Sequence, residues 1–180
     1  NADYGDVVEE LDGRIGDLLK VLKDEELEKN TIVVFMSDNG TEPGQKKWGS
    51  GEPFRGLKWS ALEGGTRVPC IIRFPDLIPA GEVTDKLTTA IDLLPTLAGA
   101  CGIKLKEGLG IVPKIDGLNL WESLQGKAKA HPRNSLLYWH GWAIPQAIRV
   151  GDWKLYLDKV KEIPGTNKAP VLIDLSKDPA

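Results

Sequence analysis

The chain has 180 residues, 41% of them hydrophobic and 27% charged, with 23 Lys and Arg against 26 Asp and Glu for a formal net charge of -3. This bounds it to one domain, or one domain with a small appendage, of ordinary soluble globular composition. The mild acidity argues against a dedicated nucleic-acid surface, and no apolar stretch reaches the ~20 residues that span a bilayer.

No signal peptide opens the chain, which begins at Asn1 without a methionine and enters a helical pattern almost at once, as a piece of something longer would. Tyr4, Val8, Leu11, Ile15, Leu18 and Leu22 recur every three or four residues and predict an amphipathic helix on a core from about Asp6 to Lys23. After a short acidic stretch, the β-branched run Thr31 to Met36 reads as a strand buried on both faces, of the kind found inside a parallel sheet. Helix followed by buried strand is half of a βαβ unit. The strand ends in Ser37-Asp38-Asn39-Gly40. Residues 41–67 are polar and glycine-rich, too long for an idle connection.

Val68 to Phe74 predicts a second strand, with Pro69 at its start, and Asp92 to Gly102 a short helix capped by Asp92. Leu118 to Leu124 fits a turn or two of helix. The tail changes character: Ser135 to Trp139, Gln146 to Val150, Trp153 to Leu157 and Val171 to Leu175 are four strand-like runs, the middle pair joined by the hairpin signal Gly151-Asp152. They predict a small antiparallel sheet. Cys70 and Cys101 lack the spacing of a metal site or a disulfide framework.

The chemistry gathers at two places. In open α/β sheets ligands sit beyond the carboxyl ends of the strands, and Asp38 and Asn39 would deliver two hard oxygen donors there, suited to Ca²⁺ or Mg²⁺. The same residues are also a common turn sequence. Further on come Arg55-Gly-Leu-Lys58 and Glu63-Gly64-Gly65-Thr-Arg67-Val-Pro69, where Lys58 could complete a positive pocket for a tetrahedral dianion. Read alone, Lys58 is a surface lysine.

The succession of strand-Ser-Asp-Asn-Gly, Arg-Gly-x-Lys, Glu-Gly-Gly-x-Arg-Val-Pro and Asp92-x-x-Pro-Thr resembles the type I sulfatases of the alkaline phosphatase superfamily, over nearly the whole chain. The resemblance implies an α/β fold class: residues 1–130 as the C-terminal part of an alkaline-phosphatase-like parallel-sheet domain, and residues 131–180 as a small antiparallel subdomain. It further implies that Asp38 and Asn39 are two ligands of Ca²⁺, with Mg²⁺ second, and that Lys58 contacts the sulfate and is catalytic. The implied substrate is a sulfate ester of a small molecule or a glycan, and the compartment periplasmic, secreted or lysosomal. Glu63 and Arg67 are assigned to structure, Arg67 pairing with a carboxylate below the site. His140 and Trp142, in Tyr138-Trp-His-Gly-Trp142, are candidate substrate contacts beside the pocket.

The sequence departs from the family at the nucleophile, a formylglycine made within a Cys/Ser-x-Pro-x-Arg motif that does not occur here. Cys70-Ile-Ile-Arg73 lacks the proline, and Gly51-Glu-Pro-Phe-Arg55 has glycine in the nucleophile position. The expectation is therefore a fragment with the nucleophile and half of the metal ligands upstream, inactive alone and a weak Ca²⁺ binder. Two alternatives stay open: a phosphatase, phosphodiesterase or phosphonate hydrolase of the same superfamily, or a non-catalytic domain binding anionic glycans.

Overall fold

The computed structural model describes residues 2–45, 49, 51–105, 114–140, 143–157 and 169–179, with Ala2, Gln45 and His140 described in the backbone only. The chain opens with helix α1 (Ala2–Asp24), closed by a 3₁₀ turn at Glu28–Asn30. The helix forms where the periodicity predicts, but the core expected beneath it is only partly there. Ile15, Leu19 and Leu22 are half-buried, whereas Tyr4, Val8, Leu11 and Leu18 are exposed, since no other described element packs along that stretch.

Strand β1 (Val33–Met36) pairs with β2 (Cys70–Arg73), Val33 opposite Arg73 and Met36 opposite Cys70. The pairing is antiparallel, and β1 is half-exposed because β2 is its single partner among the described residues. The expected burial on both faces is thus not met within them. Between the two strands lies the one-turn helix α2 (Glu63–Thr66), with Glu63, Gly64 and Gly65 buried.

Helix α3 (Leu93–Ala100) follows a 3₁₀ turn at Ala90–Asp92 and contacts the short helix α4 (Trp121–Leu124). Asp92 does not cap α3 with its side chain as expected. Its carboxylate accepts the Thr89 N–H at 3.1 Å, closing a capping box one turn earlier, and faces Arg133 at 2.6 Å and 2.8 Å. The guanidinium supplies a full opposite charge in a buried place, which outbids a local cap.

The tail is a four-stranded antiparallel sheet of β3 (Ser135–His140), β4 (Ile144–Val150), β5 (Trp153–Tyr156) and β6 (Val171–Asp174), in sequence order. The Gly151-Asp152 hairpin forms as the sequence predicts, with Gly151 at φ 57°, a conformation glycine adopts freely. One row across the inner face is Tyr138, Ala147, Tyr156 and Val171; the next carries Arg149, Lys154 and Ile173. Leu62, just before α2, packs with Ala147, Tyr156 and Val171 into the core, flanked by Ala61, Tyr138 and Ile173. This cluster joins the α2 turn to the sheet, each large side chain contributing about 1.5–3 kcal/mol by burial. Among the described residues, no helix is long and apolar enough to cross a membrane.

Candidate functional site: a strand end, a lysine loop and a buried carboxylate

The turn after β1 is held by backbone bonds. Ser37 N–H donates to Pro69 O at 3.2 Å, the Ser37 hydroxyl donates to Asn39 O at 3.0 Å, and Gly40 N–H donates to Gly65 O at 3.1 Å. Gly40 has no room for a side chain: a Cβ there would lie 1.9 Å from Gly64 O. The approach leaves the Asp38 side chain exposed and Asn39 half-buried at the carboxyl end of the strand.

Lys58 arrives from the next loop. Its N–H donates to Thr41 O at 3.0 Å, which anchors the loop three residues past Asp38. Its ammonium bonds Glu42 at 2.9 Å, with the side chain 29% exposed. The Glu42 hydrogen bond, followed by the charges of Glu42 and Asp38, outweighs partial desolvation and holds Lys58 above its ordinary value. Lys58 is thus neither remote from Asp38 nor free in solvent. Trp59, next in the chain, adopts φ 77° and is 80% exposed, with the Lys58 ammonium 5.2 Å from its ring centroid. A left-handed backbone at a bulky residue is strained.

The Glu-Gly-Gly block explains how these loops meet. A Cβ on Gly64 would stand 2.6 Å from Gly56 O and 2.8 Å from Arg55 O and Phe54 O; one on Gly65 would stand 2.4 Å from Leu57 O and Ser60 O. Two residues without side chains let the Gly40 turn and the 54–60 loop touch α2 backbone to backbone.

Glu63 itself is 2% exposed and pairs with Arg67 Nε at 2.6 Å and Lys154 Nζ at 2.6 Å, with Arg149 Nη1 at 3.7 Å. Burial works against its charge, but Lys154 and Arg67 prevail and hold the carboxyl below its ordinary value. Arg67 also lies 4.6 Å from the Phe54 ring centroid, and Arg55 bonds Asp178 at 2.5 Å. Lys154 and Arg149 had no place in the sequence reading. The signal available was their position opposite one another across the hairpin, but which face they took was not fixed by hydropathy.

The structure therefore brings the Lys58 loop against the segment that follows Asp38 and Asn39, with the Lys58 ammonium on Glu42. His140 ends β3, opposite Ile144, but its side chain and Trp142 lie outside the described residues. Among the described residues no three His, Cys, Asp or Glu side chains gather to hold a metal.

The chain belongs to the sulfatase family: the family model described as Sulfatase matches residues 2–103, more than half of its length. It is 32% identical to a steryl-sulfatase from Homo sapiens, over 98% of this chain and 35% of the relative. To an N-acetylgalactosamine-6-sulfatase from Sus scrofa it is 31% identical, over 98% of this chain and 37% of the relative. The chain thus spans about a third of the length of these curated relatives. Among solved structures it resembles the PsFucS1 sulfatase from Pseudoalteromonas sp., with a TM-score of 0.77 and 28% identity over 94% of this chain and 36% of that one. This likeness gives the chain its α/β, alkaline-phosphatase-like class. A phosphonate monoester hydrolase from Silicibacter pomeroyi shares the fold at 22% identity and a TM-score of 0.63, over 93% of this chain and 33% of that one.

Proposed function

We propose that this chain is the C-terminal part of a sulfatase, residues 1–130 completing its catalytic domain and residues 131–180 forming a small antiparallel subdomain, and that the complete protein hydrolyses sulfate esters. The observation that carries this reading is the Thr41–Lys58 hydrogen bond, which returns the lysine to the Asp38-Asn39 turn. Lys58, kept protonated by Glu42, offers a tetrahedral sulfate a point charge with three rotatable donors. Asp38 and Asn39 would hold a divalent cation. Their hard oxygens fit Ca²⁺ first and Mg²⁺ second, and the two stand side by side in one turn, Asp38 exposed and Asn39 half-buried. Bound there, the cation would polarise the S–O bonds and offset charge on the departing ester. Ca²⁺ takes about 6–8 oxygens, so the remaining ligands, like the formylglycine nucleophile, are assigned to the rest of the complete protein.

The two relatives act on a steroid and on an amino sugar by name, which frames the substrate as a sulfate ester of a small molecule or a glycan. His140 and Trp142 are the residues of the tail assigned to contact it. The compartment in this reading is the periplasm, the cell exterior or the lysosome.

The test is hydrolysis of an aryl sulfate by the complete protein. Lys58→Ala is expected to lower kcat by about 10²–10³, as loss of one preorganised charge-stabilising donor does. Asp38→Ala should abolish turnover and lower cation affinity. Undiminished hydrolysis in either variant overturns the assignment, and a wild type that binds sulfated glycans without cleaving them supports the non-catalytic alternative instead. This chain alone should bind Ca²⁺ more weakly than micromolar by calorimetric titration; micromolar affinity would show that the donor set is already complete.

A further inference from the structure

Glu63 lies where the two halves of the chain meet, and its strongest partner comes from the tail sheet. Lys154 is fully buried on the inner face of β5. Its ammonium donates to Glu63 Oε1 at 2.6 Å and to Ala61 O at 2.5 Å. It stands 3.7 Å and 5.1 Å from the ring centroids of Tyr138 and Tyr156. Two of its three protons are thus committed to oxygens and the third is left to aromatic faces. The position is tightly specified from every side.

What Lys154 holds is equally constrained. The other Glu63 oxygen accepts from Arg67, and the turn it opens runs into Gly64 and Gly65. Gly64 N–H donates to Arg55 O at 2.8 Å and Gly65 O accepts from Gly40 at 3.1 Å, so the turn is clamped between the lysine loop and the strand end. No side chain lies between these backbones to absorb a shift.

We propose that Lys154 is a positioning residue for the sulfate-handling site: by holding Glu63 it fixes the α2 turn, and the two glycines of that turn set the spacing between Asp38-Asn39 and Lys58. The proposal rests on the roles given to those three residues in the proposed function. Lys154 acts through Glu63 and not on the anion.

The experiment is Lys154→Met in the complete protein, read by amide hydrogen exchange and by kinetics on an aryl sulfate. Exchange at Gly40, Lys58 and Gly64, whose N–H groups bond Gly65, Thr41 and Arg55, is expected to quicken by about tenfold or more. Cys101 at the end of α3, bonded to Leu97 O, should be unchanged. In parallel kcat should fall about tenfold with KM within about threefold, the pattern of a misplaced group that acts in the transition state. Unchanged local exchange, or an unchanged kcat, overturns the proposal. Equal acceleration in α3 also overturns it, by showing a merely structural role. If Lys154→Met does not fold, Glu63→Gln, which keeps shape and removes charge, decides by the same readouts. A wild type without sulfate-ester hydrolysis refutes the sulfatase reading, and the exchange pattern still decides whether Lys154 governs the Lys58 loop.

Discussion

Two carboxylates among the described residues are almost wholly shut away from water, Asp92 beside α3 and Glu63 at α2, at 1% and 2% exposure, and they are neutralised in different ways. Asp92 faces a single cation. Arg133 grips both of its oxygens, the N–H groups of Thr89 and Leu118 supply two further donors, and Arg133 also donates to Asp116 O and Ser135 O. The charges close on themselves, as in a staple. Glu63 instead faces Lys154, Arg149 and Arg67, one negative group among three positive ones, two of them delivered from the tail sheet. A closed pair serves stability. An unequal cluster beside two glycines that touch the Lys58 loop ties stability to the placement of another charge.

The sharpest way to break this contrast is to remove one partner of the closed pair. Asp92→Ala leaves Arg133 charged and buried without compensation, and should cost about 3–5 kcal/mol. Urea unfolding of the complete protein checks it, with turnover per folded molecule retained. Next, Gly64→Ala drives a Cβ to within 2.6 Å of Gly56 O, and should cost on the order of 3 kcal/mol, the upper range of overpacking, together with turnover.

A smaller effect separates the two clusters by pH. Burial, against the pull of Glu63, brings Lys154 down from 10.5 to about 8, with Arg149 and Arg67 adding in the same direction. Burial likewise pushes the neighbouring Tyr138 hydroxyl up to about 12 and Tyr156 higher still, so neither tyrosine ionises in this window. The folded state then binds the Lys154 proton less tightly than the unfolded chain. This contribution to stability therefore rises between pH 8 and 10.5 while the hold on Glu63 weakens. Turnover should fall with a midpoint near pH 8 without a matching fall in melting temperature, and Lys154→Met should remove that limb. Glu63 has the opposite sign. Its lowered value contributes stability that is present above pH 4.5 and lost as the pH falls through its folded value, and Glu63→Gln should flatten that acid limb. The smallest effect is at the surface. Lys20→Ala breaks an exposed pair with Asp24 on α1 and should change stability by no more than about 0.5 kcal/mol.

Local signals were read well and charge pairing across distance was not. The four tail strands and the Gly151 hairpin follow from alternation and turn chemistry, and they stand within a residue or two of the sequence reading. The carboxylate-amide turn was legible because an apolar run ends on it abruptly. Trp153-Lys154-Leu155-Tyr156 was not, since period two is equally satisfied with the indole inward or the lysine inward. On the face it takes, Lys154 meets Glu63, 91 positions away in sequence, beside Tyr156 of the core. Asp92 misled for the same reason: a helix-start residue next to a helix reads as a cap until Arg133, 41 positions on, is known to reach it.

The side of β5 that Lys154 takes has a bearing on how the tail finds its alignment. Slipping that strand by one position against β4 would send the ammonium out into water and turn Trp153 or Leu155 toward the carboxylate, stranding a negative group in an oily pocket. The misaligned hairpin would be penalised at its most sheltered point, so the buried lysine favours one alignment of the sheet over its neighbours.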